Sequence, residues 1–206
     1  MKKYKITINE KGNPENYIFN SKEEAKNSTI GMFTNRVIEE ATKDDLKQLH
    51  KIYIAAPLFT DVQKRRINEV VMWLRALGNE VYSPMELTIE NAWGISNKDW
   101  AQKVYQHDID DIAKADTVVC LYDGMNSDSG TAWELGYAHA LGKVVFTICE
   151  DVKEKQSLMV INGSNVVCDK SLYQTAWLDY VRNPNRYTLD TPEFKFLYAM
   201  GLKDQS

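Results

Sequence analysis

The 206-residue chain lacks the signatures of most catalytic machineries. No GxGxxG opens a helix, no P-loop GxxxxGK follows a strand, and neither HExxH nor a paired CxxC occurs, so the common dinucleotide, P-loop and zinc sites are without their residues. With no GxSxG serine, and with His50, His107 and His139 as the only histidines, a Ser-His-Asp hydrolase is unsupported as well. No apolar run approaches the roughly 20 residues of a membrane span. Polar residues interrupt the basic start Met1-Lys2-Lys3-Tyr4-Lys5 before a signal-peptide core can form. Cysteine is scarce: Cys120, Cys149 and Cys168 are odd in number and two lie in apolar runs, which reads as reduced, buried thiols and a cytoplasmic protein. Positive charge is not in excess either. Lys and Arg total 25 against 29 Asp and Glu, a net charge of −4 that disfavours tracking a nucleic-acid polymer.

What is present suits an ordinary globular domain: 44% of residues are hydrophobic and 26% charged, with length enough to bury a core without disulfides or a structural metal. Residues 1–50 read as an appendage. Tyr4, Ile6 and Ile8 alternate with polar residues, Gly12-Asn13-Pro14 makes a turn, and Tyr17-Ile18-Phe19 can pair back as a hairpin. Ser21–Asn27 and Thr34–Leu49 are charged and helix-prone. From Lys51 to 182 the pattern becomes βαβαβαβ. Apolar strands at Ile52–Ala56, Glu80–Ser83, Thr117–Tyr122 and Val144–Cys149 alternate with helices at Asp61–Leu77, Lys98–Lys114 and Thr131–Leu141. A fifth strand is predicted at Asn165–Cys168 and a helix at Ser171–Val181. A tail over 183–206 holds one more amphipathic piece, Glu193–Leu202. Near-continuous strands such as Val118-Val119-Cys120-Leu121 require cover on both faces, hence an α/β fold, a doubly wound parallel five-stranded sheet with helices on each side.

In such a sheet ligands bind where strand order reverses, above the carboxyl ends of the strands. The loops to inspect are therefore Ala56–Asp61, the chain from Pro84 onward, and Asp123–Gly130. Glu134 follows the last of these in the first turn of its helix, where the helix field favours the ionised form that a nucleophile needs. Thr131-Ala132-Trp133-Glu134 reads equally as a capping box, a purely structural arrangement. Trp100, Val104, Asp108 and Ile112 recur every four residues, so Asp108 lies on the inward stripe of its helix, as a functional acid or as a carboxylate satisfied by its neighbours. Asp110 and Asp111 fall off that stripe and read as surface charge. Asp128 suits an Asx turn or a helix cap. Tyr53 suits a core tyrosine with its hydroxyl on some acceptor. Phe59, Trp93 and Trp100 form either an aromatic wall for a planar ligand or part of the core. Met159, Asn162 and Asn165 carry no signal by composition alone.

Taken together these residues resemble the nucleoside 2-deoxyribosyltransferase family over roughly residues 51–182. The likeness rests on Ile52-Tyr53-Ile54-Ala55-Ala56 with Phe59-Thr60-Asp61 and Gln63, on Trp100-Ala101 with Tyr105 and Asp108, and on the run from Asp128 to Lys143. It implies a flavodoxin-like sheet and a ping-pong, configuration-retaining transfer of 2-deoxyribose between free nucleobases and deoxynucleosides, with no metal or organic cofactor. By this resemblance Glu134 is the nucleophile, Tyr53 orients it, and Asp108 is the acid/base at the departing base. Asp128 grips sugar hydroxyls, and Phe59, Trp100, Ala55, Gly130 and Met159 complete the substrate-binding set. The resemblance also implies a homo-oligomer in which a neighbouring chain closes each pocket from the stretch Gln156–Asn165. Ser157 stands before Leu158-Met159 where the family pattern has an asparagine, leaving Asn162 and Asn165 as substitutes. Two alternatives share the fold: a deoxynucleoside 5′-monophosphate N-glycosidase, which needs phosphate donors that Ala55-Ala56-Pro57-Leu58-Phe59 does not offer, and a non-catalytic nucleotide-binding module.

Overall fold

A computed structural model describes residues 4–10, 13–19, 22–27, 36–40, 49–124, 127–151 and 156–187. Contacts divide the chain into two units, residues 1–51 with 68–81, and residues 52–67 with 82–206.

In the first unit, strands β1 (Tyr4–Glu10), β2 (Asn13–Phe19) and β3 (Arg36–Glu40) form an antiparallel sheet in the order β2-β1-β3, with helix α1 (Lys22–Asn27). The hairpin read from the alternation of Tyr4, Ile6 and Ile8 is there, with Ile6 opposite Tyr17. The helix expected over Thr34–Leu49 is not. Its first part is β3, in which Ile38 lies opposite Ile6, so the β-branched pair Val37-Ile38 prevails over the helix-prone charges around it. Residues 41–48, and the amphipathic piece expected at Glu193–Leu202, lie outside the described residues.

The second sheet has the order β5-β4-β6-β7-β8, from β4 (Lys51–Ala55), β5 (Glu80–Tyr82), β6 (Thr117–Tyr122), β7 (Val144–Cys149) and β8 (Val166–Asp169). In order of occurrence that is 2-1-3-4-5, the flavodoxin-like arrangement, with its switch point between β4 and β6. These two strands pair in parallel, Tyr53 beside Val118 and Ala55 beside Cys120. Every residue of β6 is buried, as a central parallel strand requires. On one face, Tyr53, Ala55, Val118, Cys120, Val145, Cys149 and Val167 form a core with residues of α3 (Asn97–Lys114), α4 (Ser129–Ala140) and α5 (Leu158–Gly163). On the other, Phe146 meets Trp177 of α6 (Tyr173–Arg182) edge-on at 5.3 Å, and Arg66 of α2 (Asp61–Ala76) donates to Ile148 O at 3.2 Å. The three thiols are buried and free.

Helix ends are fixed locally. After α2, Gly78 donates to Arg75 O and Asn79 to Leu74 O, the two bonds of a Schellman motif with Gly78 at φ +88°. Gly142 closes α4 in the same way at φ +70°. Lys143, next in sequence, reaches across to the end of α3 and donates to Ala113 O (2.7 Å) and Ala115 O (2.6 Å). That lysine therefore ties together the two helices that carry Asp108 and Glu134.

The two glycines separate strain from crowding. A Cβ at Gly142 meets nothing within 4 Å, so Gly142→Ala is predicted to cost about 1 kcal/mol, the left-handed penalty alone. A Cβ at Gly78 would lie 2.4 Å from Ile18 O, so Gly78→Ala adds a backbone clash and should cost at least about 2 kcal/mol. Urea unfolding of both variants checks the order; equal losses would contradict it.

Candidate active site

The parallel register puts Tyr53 and Ala55 on the face of the sheet that α3 and α4 cover. Tyr53 has no accessible surface, and its hydroxyl donates to Glu134 Oε1 at 2.9 Å. One bond thus joins the first strand of the sheet to the helix that follows the third, across the switch point. Burial pushes the Tyr53 hydroxyl well above its ordinary range, with the charges of Glu134 and Asp108 adding to it, so it stays a donor.

The helix carrying Glu134 starts earlier than its sequence suggests. Asp128 is the N-cap of α4: it accepts the Thr131 amide at 2.9 Å on one carboxylate oxygen and the Thr131 hydroxyl at 2.7 Å on the other. Thr131 is therefore the third helical residue and Glu134 lies in the second turn. This corrects the capping box read from Thr131-Ala132-Trp133-Glu134, because an aspartate three residues upstream already holds the amide at stake. It also corrects the expectation that the helix terminus keeps Glu134 ionised. Burial pushes its carboxyl up to about 8, the Tyr53 hydrogen bond opposes this, and the charges of Asp108 and Asp128 reinforce it. Gly130, at the surface of the same first turn, has no room for a side chain: a Cβ would lie 2.8 Å from Asp128 Oδ1.

Asp108 comes from α3. Burial raises its carboxyl above the usual range; His107, chiefly by its charge, and the Tyr53 hydroxyl hold it down, while Asp111 adds to the rise. Its Oδ1 is enclosed and has no hydrogen-bond partner. Asp111 is not the surface charge expected from sequence. It is 6% exposed, accepts Lys114 Nζ at 2.8 Å, and its Oδ2 lies 3.4 Å from His107 Nε2. Asp110, by contrast, is exposed and accepts a bond from Gln106. The inward stripe of a helix is broader than a strict four-residue repeat, and Asp111 stands at i+3 from Asp108 and i+7 from Val104, the signal by which it and its neighbour His107 could have been found.

The remaining expected residues are dispersed. Ala55 is fully buried in the core. Phe59, 75% exposed, lies in the loop after β4, Trp93 in the short turn Ala92–Gly94, and Trp100 in the first turns of α3; all three side chains face solvent. Met159 is 85% exposed on α5, beside a groove of about 440 Å³ that also takes in Ala132, Leu135, Gly136 and Val160. Of the two asparagines considered as substitutes for the family's residue, Asn165 is committed within the chain, accepting the Val145 amide and donating to Tyr187 O. Asn162 donates to Leu158 O on its own helix.

Gln63 closes the loop after β4. Its Oε1 accepts the amides of Phe59 and Thr60, each at 3.0 Å, while its own amide donates to Thr60 Oγ1 at 3.2 Å. This reciprocal cap occupies the backbone amide of Gln63 in the first turn of α2 and the two amides that precede the helix. Among the described residues no group of His, Cys, Asp and Glu is arranged to hold a metal ion, and no helix is long and apolar enough to cross a membrane.

Tyr53, Glu134 and Asp108 thus meet at the switch point of a 2-1-3-4-5 sheet, within a segment whose likeness to known proteins is consistent. A nucleoside deoxyribosyltransferase from Limosilactobacillus fermentum is 25% identical over 160 residues, 73% of this chain and 89% of that protein. The solved structure of a 2-deoxyribosyltransferase from Bacillus psychrosaccharolyticus superposes with a TM-score of 0.53 at 28% identity, over 60% of this chain and 88% of that one. The CMP N-glycosidase of Clostridium botulinum aligns at 22% identity with a TM-score of 0.42, over 65% of this chain and 97% of that one. The family model for nucleoside 2-deoxyribosyltransferase matches residues 52–175, and the chain belongs to that family.

Proposed function

We propose that the protein transfers 2-deoxyribose between nucleobases in two displacements, with the sugar held between them as an ester on Glu134. The observation that carries this reading is the Tyr53–Glu134 hydrogen bond with Asp108 beside it. In the first displacement Glu134 attacks C1′, the C1′–N bond breaks, and Asp108 gives its proton to the departing base. In the second, the entering base attacks C1′, the ester bond breaks, and the proton of the entering base returns to Asp108. Two inversions retain the anomeric configuration. Burial raises both carboxyls, and the Tyr53 hydroxyl, which donates to Glu134 Oε1, favours the carboxylate that attacks C1′.

Unphosphorylated deoxynucleosides suit the site better than nucleotides. The loop Ala55–Phe59 brings no Ser, Arg or Lys, and the amides of Phe59 and Thr60 are spent on Gln63. Incubation with a deoxynucleoside, with and without a second base, tests the reading: exchange supports transfer, free sugar alone supports the N-glycosidase, and neither supports a binding module.

Glu134→Gln should lower exchange about a thousandfold or more while making the protein more stable at alkaline pH. The ordinary value for the group is 4.5 and burial lifts it to about 8, so across that window the unfolded chain releases the proton first and wild-type stability falls as pH rises. The amide removes that penalty. Urea unfolding at pH 5 and pH 8 should show the variant gaining about 1 kcal/mol or more on the wild type at the higher pH; a constant difference contradicts the assignment.

Tyr53→Phe removes the donor that favours ionised Glu134, so the acidic limb of the kcat/KM profile should move to higher pH. An unmoved limb would make Tyr53 a packing residue.

Assembly with a second copy belongs to the same reading. The groove between α4 and α5, with Leu158 and Met159 exposed beside it, is the apolar surface a neighbouring chain would cover, and closure of the site would keep water from the glycosyl ester. Specific activity should fall on dilution in parallel with dissociation seen by light scattering; a fully active monomer near 23.7 kDa would refute it.

A further inference from the structure

His107 and Asp108 are adjacent on α3, and their facing atoms form an unfinished pair. His107 Nδ1 lies 3.7 Å from Asp108 Oδ1; both atoms are enclosed, and neither has a hydrogen-bond partner. On its other side the ring is met by Asp111, with Nε2 3.4 Å from a carboxylate that is itself buried and held by Lys114. The imidazole thus stands between two carboxyl groups with only a third of its surface exposed, and Asp108 has 19% of its own. The charged and titratable groups facing this pair from other elements are Tyr53 on β4, which touches both Asp108 and Glu134, and Glu134 itself on α4.

We infer that His107 is a positioning residue for Asp108, and that its imidazole biases the charge state of that carboxyl on the leaving-group side of the site. This rests on the reading of Asp108 as the acid that protonates the departing base. The positive imidazole, oriented by Asp111, supports the Asp108 carboxylate, and its loss leaves burial to favour the protonated form. Over a complete transfer the pair consumes no proton, because the one that leaves Asp108 with the first base is returned by the second. The imidazole sets the acid strength of Asp108 between those events, and Asp111 sets the orientation of the ring.

The test begins without a variant and without activity. In the intact protein, the ring nitrogen signals of His107, followed by NMR against pH, should show an inflection at the midpoint at which the Asp108 carboxyl carbon titrates. Absence of that inflection overturns the pairing. In folded His107→Gln, checked by circular dichroism, the Asp108 midpoint should rise by about half a unit or more, since the imidazole is the chief group holding it down. The basic limb of the exchange profile should move up with it. A uniform loss of rate at all pH values, with the Asp108 midpoint unchanged, would reduce His107 to a structural role. Coupled titrations in a protein that exchanges no bases uphold the pair and sink the transfer reading, so the two can fail separately.

Discussion

The cost of burying carboxyl groups beside one another governs this site. Four of them, Asp108, Asp111, Asp128 and Glu134, come from two neighbouring helices, and each is relieved to a different degree. Asp128 spends both oxygens on Thr131 and anchors the start of α4. Asp111 is held by Lys114. Glu134 has the Tyr53 hydroxyl. Asp108 Oδ1 has no hydrogen bond at all. A buried polar atom without a partner costs on the order of 1–3 kcal/mol, which a fold tolerates where the group needs to exchange a proton. Asp108, the carboxyl left with an enclosed and unpartnered oxygen, is the one proposed above to exchange a proton.

The scaffold keeps these groups in register by ordinary means. The pleat of β4 sends Tyr53 to the face that α3 and α4 cover while Ile52 and Ile54 face the other way. Lys143 caps the end of α3 from the turn that closes α4, so the helix bearing Asp108 and the helix bearing Glu134 are joined at their C-terminal ends. The raised Glu134 carboxyl makes the fold less stable as pH rises.

Much of the sheet was legible from sequence because buried parallel strands are short apolar runs with polar ends. Thr117–Tyr122 and Val144–Cys149 were delimited to the residue. The start of α4 was not, since Asp128 and Thr131 are both good caps and only three dimensions show that the aspartate takes the amide. Arg36–Glu40 was misread because charge pattern spoke for a helix, whereas pairing with β1 decides the segment. Glu134, Asp108 and Tyr53 are legible from helix position and motif, and the structure brings the three side chains together. Asp111 reads as surface charge in the sequence, yet is buried, because a stripe of spacing four is narrower than the face a helix buries.

The central claim is that the sugar rests on Glu134 between two bases, and mass spectrometry addresses it directly. Protein mixed with a deoxynucleoside, quenched in acid within one turnover and digested, should carry a single deoxyribosyl group on the peptide containing Glu134. A second base added before the quench should remove that group. Exchange that proceeds while the Glu134 peptide stays unmodified, or a deoxyribosyl group found on another residue, would contradict the account.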